Sequence, residues 1–122
     1  MTKSAGSLFF ILLFPVLLSF NSGGHVKFAD AVEAKKTWCV ARPSASDAEL
    51  NNNIEYACNI LNDCKLIEPG GLCFKPNNLL SHASVVMNQY YALEGRNPWN
   101  CHFSDSGLIA FSDPSYGSCK YA

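Results

Sequence analysis

The chain has 122 residues, 48% of them hydrophobic and 16% charged, with nine Lys or Arg against ten Asp or Glu and a formal net charge of −1. No basic run exceeds Lys35-Lys36, so the sequence offers neither a phosphate-tracking stripe nor a patch for anionic lipid, and no nucleic acid partner is expected. The length suits one domain with a modest core.

Residues 1–7 carry a single charge, Lys3, and residues 8–20 (LFFILLFPVLLSF) carry none. At about 13 residues this apolar run is too short to cross a ~30 Å hydrocarbon core as a helix, and Pro15 interrupts it, so it reads as a cleaved secretion signal. Ser22 and Gly24 suit the positions three and one before a cut, which sets the expected signal peptide at residues 1–24; Ala29 and Ala31 allow a later cut. Its removal takes out Lys3 and leaves eight Lys or Arg against ten Asp or Glu, a net charge of −2. Residues 25–37 (HVKFADAVEAKKT) contain no cysteine and read as a leader, so the folded domain is expected over residues 38–121. The chain closes on Tyr121-Ala122 without an apolar tail, and it has no Asn-x-Ser/Thr sequon. No membrane anchor is expected, and free secretion of a monomer to the extracellular space or cell wall is the simplest fate.

All six cysteines, Cys39, Cys58, Cys64, Cys73, Cys101 and Cys119, follow the apolar run. An even set behind a secretion signal reads as three disulfides, although six cysteines permit 15 pairings and spacing does not choose among them. A zinc site is the competing reading, but no C-x-x-C pair is present and the compartment is oxidising, so no metal and no cofactor is expected.

Two helices stand out. Ser46 and Glu49 form an S-x-x-E capping box, after which Leu50, Ile54, Ala57, Cys58 and Leu61 recur at helical spacing and leave Tyr56 pointing away from the apolar face. The second helix begins between Asn78 and Ser81 and stops at Gly95, with Leu79, Ala83, Val86, Met87 and Tyr90 on its inner face and Tyr91 at the margin. Between them lies the turn Glu68-Pro69-Gly70-Gly71, then a short apolar piece at residues 72–74 and a breaker at Pro76. After the second helix, Cys101-His102-Phe103 and residues 108–111 flank Ser104-Asp105-Ser106-Gly107, which can close a short antiparallel hairpin. Asp113-Pro114-Ser115-Tyr116-Gly117 has turn chemistry. The expected class is small α+β, disulfide-rich, with two main helices, a short hairpin and long irregular loops.

Five segments, WCVARP (38–43), YACNILNDC (56–64), IEPGGLCFKPN (67–77), HASVVMNQYY (82–91) and DPSYGSC (113–119), together resemble the plant X8 domain, also classed as carbohydrate-binding module family 43. The resemblance spans nearly all of residues 38–121 with all six cysteines in place. It implies the pairing Cys39 with Cys101, Cys58 with Cys64, and Cys73 with Cys119. Similar modules occur at the ends of plant endo-1,3-β-glucanases, in membrane-anchored callose-binding proteins, and as short free-standing secreted proteins, the group this chain is most similar to. The chain departs from the family pattern at Asn59-Ile60-Leu61-Asn62, where many members have a glycine-containing linker, at His102 in place of an acidic residue, and in the long turn SDSG.

The function so implied is non-catalytic binding of β-1,3-glucan of the callose or laminarin type. Sugar rings have an apolar C–H face that a flat side chain covers while polar neighbours bond the hydroxyls, so exposed aromatics flanked by amides are the candidates. Tyr56, Tyr91, Trp99 and Tyr116 are expected to face water, with Asn88 and Gln89 on the second helix, and Asn97 and Asn100 beyond it, to serve the hydroxyls. Tyr90, Phe103 and Phe111 read as core and Trp38 as packing on a disulfide. The carboxylates Asp47, Glu49, Glu55, Asp63, Glu68, Glu94, Asp105 and Asp113 read as caps, turns and solvated faces, not as the facing pair that glycoside hydrolysis needs. His25, His82 and His102 fall into no arrangement with a nucleophile and an orienting acid, so no enzyme activity is expected. The alternatives are a wall structural or interaction protein whose glucan binding is weak or lost, and an accessory to endo-1,3-β-glucanase activity.

Overall fold

The computed structural model describes residues 35–122, and the expected signal peptide and all but the end of the expected leader lie outside the described residues. The folded chain runs β1 (Trp38–Ala41), α1 (Asp47–Leu61), α2 (Leu79–Leu93) and β2 (Gly107–Ala110), with 3-10 turns at Lys65–Ile67 and Pro98–Cys101. This is a small α+β, disulfide-rich fold.

Helix α1 starts where its capping box directs. The Ser46 hydroxyl accepts from the Glu49 amide at 3.1 Å and the Glu49 carboxylate accepts from the Ser46 amide at 2.9 Å. Its other end is Asn62, whose left-handed conformation (φ 63°) lets its amide donate to Cys58 C=O at 2.9 Å. The absence of glycine in Asn59-Ile60-Leu61 thus carries the helix to Leu61. Helix α2 is capped by Asn78, whose side-chain oxygen accepts from Ser81 N–H at 2.8 Å, and is followed by Gly95 at φ +101°.

The sheet is the two-stranded antiparallel pair β1–β2, in register Trp38↔Ala110, Cys39↔Ile109, Val40↔Leu108 and Ala41↔Gly107. The strand partner of residues 107–110 is therefore WCVA at the start of the domain and not Cys101-His102-Phe103. That segment instead forms part of two tight turns, because Gly107 crosses directly over Cys101. A Cβ on Gly107 would lie 1.9 Å from Cys101 C=O, so only glycine fits there.

Helix α2 is the centre of the domain, and its residues 82–88 are all buried. On one side Ala83 and Met87 join Leu50 of α1 and Ala41 of β1 in the main core, together with Tyr91 and the Cys39 and Cys101 sulfurs. On another, Val85 packs with Cys73, Cys119 and half-buried Leu66, Ile67 and Tyr121. On a third it closes the outer edge of β1: Cys39 N–H donates to Asn88 Oδ1 at 3.0 Å and Ala41 N–H donates to Ser84 Oγ at 2.9 Å. Two side chains of a helix thereby do for β1 what a third strand would do, satisfying its buried donors.

Three disulfides tie these layers: Cys39–Cys101, Cys58–Cys64 and Cys73–Cys119. Both ends of the folded unit are bonded to α2 and the turn after it. Thr37 C=O accepts from Arg96 Nη1 at 2.8 Å, the Thr37 hydroxyl meets the Tyr91 phenol at 2.6 Å, and Ala122 C=O accepts from Asn88 Nδ2 at 3.1 Å. Phe111, expected in the core, is 82% exposed, since it lies one residue past the end of β2 where nothing covers it.

Burial in the smaller core pushes the Tyr121 phenol up to about 12, with nearby Tyr116 adding to the effect. A phenol raised in the folded state holds its proton between pH ~10 and ~12 while the unfolded chain loses it, so folding stability is full below pH ~10 and falls as pH rises through that window. Urea midpoints measured along an alkaline pH series are expected to drop less steeply in Tyr121→Phe than in the parent protein. Parallel curves would show that Tyr121 is as free to ionise as in the unfolded chain.

Candidate functional site

A cleft of about 400 Å³ opens between the C-terminal half of α2 and one face of α1. Helical spacing places Asn52, Asn53 and Tyr56 of α1 along one wall, and α2 contributes Tyr90 from the other. The far wall comes from the turns between α2 and β2, which supply Trp99, Asn100, Phe103 and Ser104.

Backbone geometry aims this last wall. Phe103, Ser104 and Asp105 all have positive φ, at 45°, 52° and 72°, a run of three left-handed residues that none but glycine adopts without cost. The turn is held by the Ser106 hydroxyl, which donates to Phe103 C=O, while the buried Asn53 Nδ2 donates to that same hydroxyl at 2.8 Å. Helix α1 thus fixes the loop opposite it, and Phe103 is turned into the cleft.

Three rings meet there edge to face. Tyr56 and Tyr90 have centroids 5.4 Å apart at 70°, Tyr90 and Phe103 5.6 Å at 72°, and Tyr56 and Phe103 6.3 Å at 87°. The Tyr56 and Tyr90 phenol oxygens are 3.5 Å apart. The hydrogen bond to Tyr56 raises the Tyr90 phenol above its ordinary value, with burial adding to it. Trp99 stands at the rim, 71% exposed. Beside it, Asn100 also lines the cleft, with its Oδ1 buried and without a hydrogen-bond partner among the described residues.

None of the lining side chains is charged, and no group of three or more His, Cys, Asp or Glu that could hold a metal occurs among the described residues. Such a lining suits a neutral ligand with apolar faces and hydroxyl groups. It provides no carboxylate, whereas glycoside hydrolysis requires two facing each other.

Of the residues singled out in the sequence, Tyr56, Trp99 and Asn100 lie in the cleft. Tyr116 lies elsewhere, its phenol donating to Lys75 C=O at 2.9 Å. Gln89 borders a separate groove with Leu66 and Leu72, and Asn97 bonds Glu94 C=O at the end of α2. Tyr91 and Asn88 need correction. Tyr91 is 1% exposed and Asn88 wholly buried, because α2 is enclosed on several sides and these positions face β1 and the chain ends, so both are closed to a ligand. Tyr90, read as core, instead forms the cleft floor, which it shares with Phe103, a half-buried ring that packs against the main core as expected. The spacing of Asn52 and Tyr56, one helical turn apart on the polar side of α1, was the sequence signal for this wall.

The family model described as X8 domain matches residues 37–108. The chain is 48% identical over 89 residues to a glucan endo-1,3-beta-D-glucosidase of Olea europaea, covering 73% of this chain and 19% of that protein. It is 46% identical over 90 residues to Major pollen allergen Ole e 10 of Olea europaea, covering 73% of each chain. With plasmodesmata callose-binding protein 1 of Arabidopsis thaliana it shares 33% identity over 105 residues, covering 86% of this chain and 48% of the relative. The chain thus spans about a fifth of the glucosidase and most of the pollen protein.

Proposed function

The chain belongs to the X8 domain family, and from that premise we infer that it is a secreted, non-catalytic module that binds β-1,3-glucan in the cleft between α1 and α2. The observation that carries this reading is the uncharged cleft lined by Tyr56, Tyr90, Phe103 and Trp99 with the amide residues Asn52 and Asn100 beside them. A neutral polysaccharide has C–H faces for Tyr56, Tyr90, Phe103 and Trp99, and hydroxyls for the amide residues that line the same cleft. The relatives named for callose binding and for 1,3-glucan hydrolysis point to the same polymer.

Linkage specificity follows from the crossed rings. A β-1,4-glucan is a flat ribbon and stacks best on aromatics lying in one plane. A β-1,3-glucan curves, so successive sugars present their faces at an angle, which suits rings inclined at 70–87° to one another. Catalysis is assigned to other domains of the glucosidase relatives, and residues 1–24 act as a signal peptide that delivers residues 38–121 to the wall as a monomer.

Affinity electrophoresis of the oxidised protein through laminarin, through a soluble β-1,4-glucan and through a sugar-free gel tests this directly. Retention is expected in laminarin alone; equal mobility in all three gels would overturn the reading. Trp99→Ala is expected to weaken laminarin affinity about tenfold or more, the loss typical of an exposed aromatic anchor, with an unchanged urea midpoint. Release of reducing ends from laminarin by protein free of other glucanases would show the module to be an enzyme instead.

A further inference from the structure

Tyr56 and Tyr90 come from different helices, 34 residues apart in the chain, yet their phenol oxygens are 3.5 Å apart and their ring planes cross at 70°. The carbons ortho to each hydroxyl share the unpaired spin of a phenoxyl radical, so the two rings meet at the ends that carry their reactive positions. The planes are already inclined as in a twisted biaryl. Tyr56 is 52% exposed, so an oxidant in solvent reaches it, and Tyr90 receives the oxidising equivalent through the contact or through the open cleft. The other tyrosines are placed differently: Tyr91 is 1% exposed and bonded to Thr37, the Tyr116 phenol is bonded to Lys75 C=O, and Tyr121 is half-buried against the smaller core.

We propose that Tyr56 and Tyr90 form an oxidative modification site, at which a peroxidase-type one-electron oxidant using hydrogen peroxide joins the two rings ortho carbon to ortho carbon as an intramolecular bityrosine. Each phenol gives up one electron and its hydroxyl proton to become a neutral phenoxyl. The two radicals pair to form the carbon–carbon bond, and the two ortho hydrogens move to the oxygens as the rings regain aromaticity. Hydrogen peroxide takes up the two electrons and two protons and leaves as two waters, so the protein loses two hydrogens in all. The new bond fastens α1 to α2 across the cleft and fixes both rings.

The link itself does not depend on what the cleft binds; its effect on glucan binding does. The oxidised, dilute protein is treated with a haem peroxidase and hydrogen peroxide, and its intact mass, bityrosine fluorescence and cross-linked peptides are read. Expected are a monomer lighter by two hydrogens, the fluorescence, and a peptide pair joining Tyr56 to Tyr90. Tyr56→Phe and Tyr90→Phe should each abolish all three signals, while Tyr116→Phe leaves them. A link mapped to Tyr116 and Tyr121, fluorescence that survives in Tyr90→Phe, or covalent dimers in place of the linked monomer would overturn the proposal. Laminarin present during oxidation is expected to slow the linking by covering both rings. Linking at the same rate with and without laminarin would leave the modification site standing and count against the cleft as the glucan site.

Discussion

The double variant Cys39→Ala/Cys101→Ala is expected to lose about 4 kcal/mol of folding stability, most of what a small domain possesses. The bridge closes a loop of 62 residues that contains both helices, so its removal frees more of the unfolded chain than any other single break here. Both sulfurs also lie in the main core, beside Leu50, Met87 and Tyr91, and their loss leaves a void there. Removing Cys58 and Cys64 instead, separated by only six residues and half-buried, should cost about 2 kcal/mol on the same argument. Urea unfolding of the two double variants, followed by circular dichroism, checks the ordering. Equal losses would mean that loop length does not govern the stability of this fold.

Asn88→Ala is expected to cost about 2–4 kcal/mol, the range for leaving buried polar groups without partners. Its amide oxygen takes the Cys39 N–H and its amide nitrogen donates to Ala122 C=O, and alanine can do neither. Asn52→Ala, at an exposed position of α1, should stay within about 0.5 kcal/mol of the parent. The comparison decides between two roles for Asn88. A lowered urea midpoint assigns it to the sheet edge, whereas an unchanged midpoint with weakened retention in laminarin would make it a sugar contact and contradict its burial.

The same residue shows where reading the sequence stops. Local signals were legible because the partners lie within a few residues of each other: Ser46 with Glu49, Asn78 with Ser81, and Gly95 just past α2. The orientation of α2 was not, since periodicity finds a buried face by assuming a wet one opposite. Here residues 82–88 are buried throughout, and the polar ones among them answer backbone groups outside the helix. His82 Nε2 donates to Phe74 C=O at 2.7 Å, and Ser84 and Asn88 meet β1. Polar side chains on a central helix look like surface until the strand they serve is in view. The assignment of Tyr90 to the core and Tyr91 to solvent was reversed for this reason. The pairing of residues 107–110 was hidden likewise, because WCVA is four residues long and its partner lies on the far side of both helices.

The bonds that hold Thr37 and Ala122 have a consequence for how the domain can be joined to something else. Both attachment points lie at the Asn88 and Tyr91 positions of α2, which are turned about 200° and 100° along the helix from Tyr90. A linker leaving from either end departs from a different side of the helix than the one that carries the aromatic floor. A linker joined at either point therefore leaves the direction of the aromatic cleft unchanged.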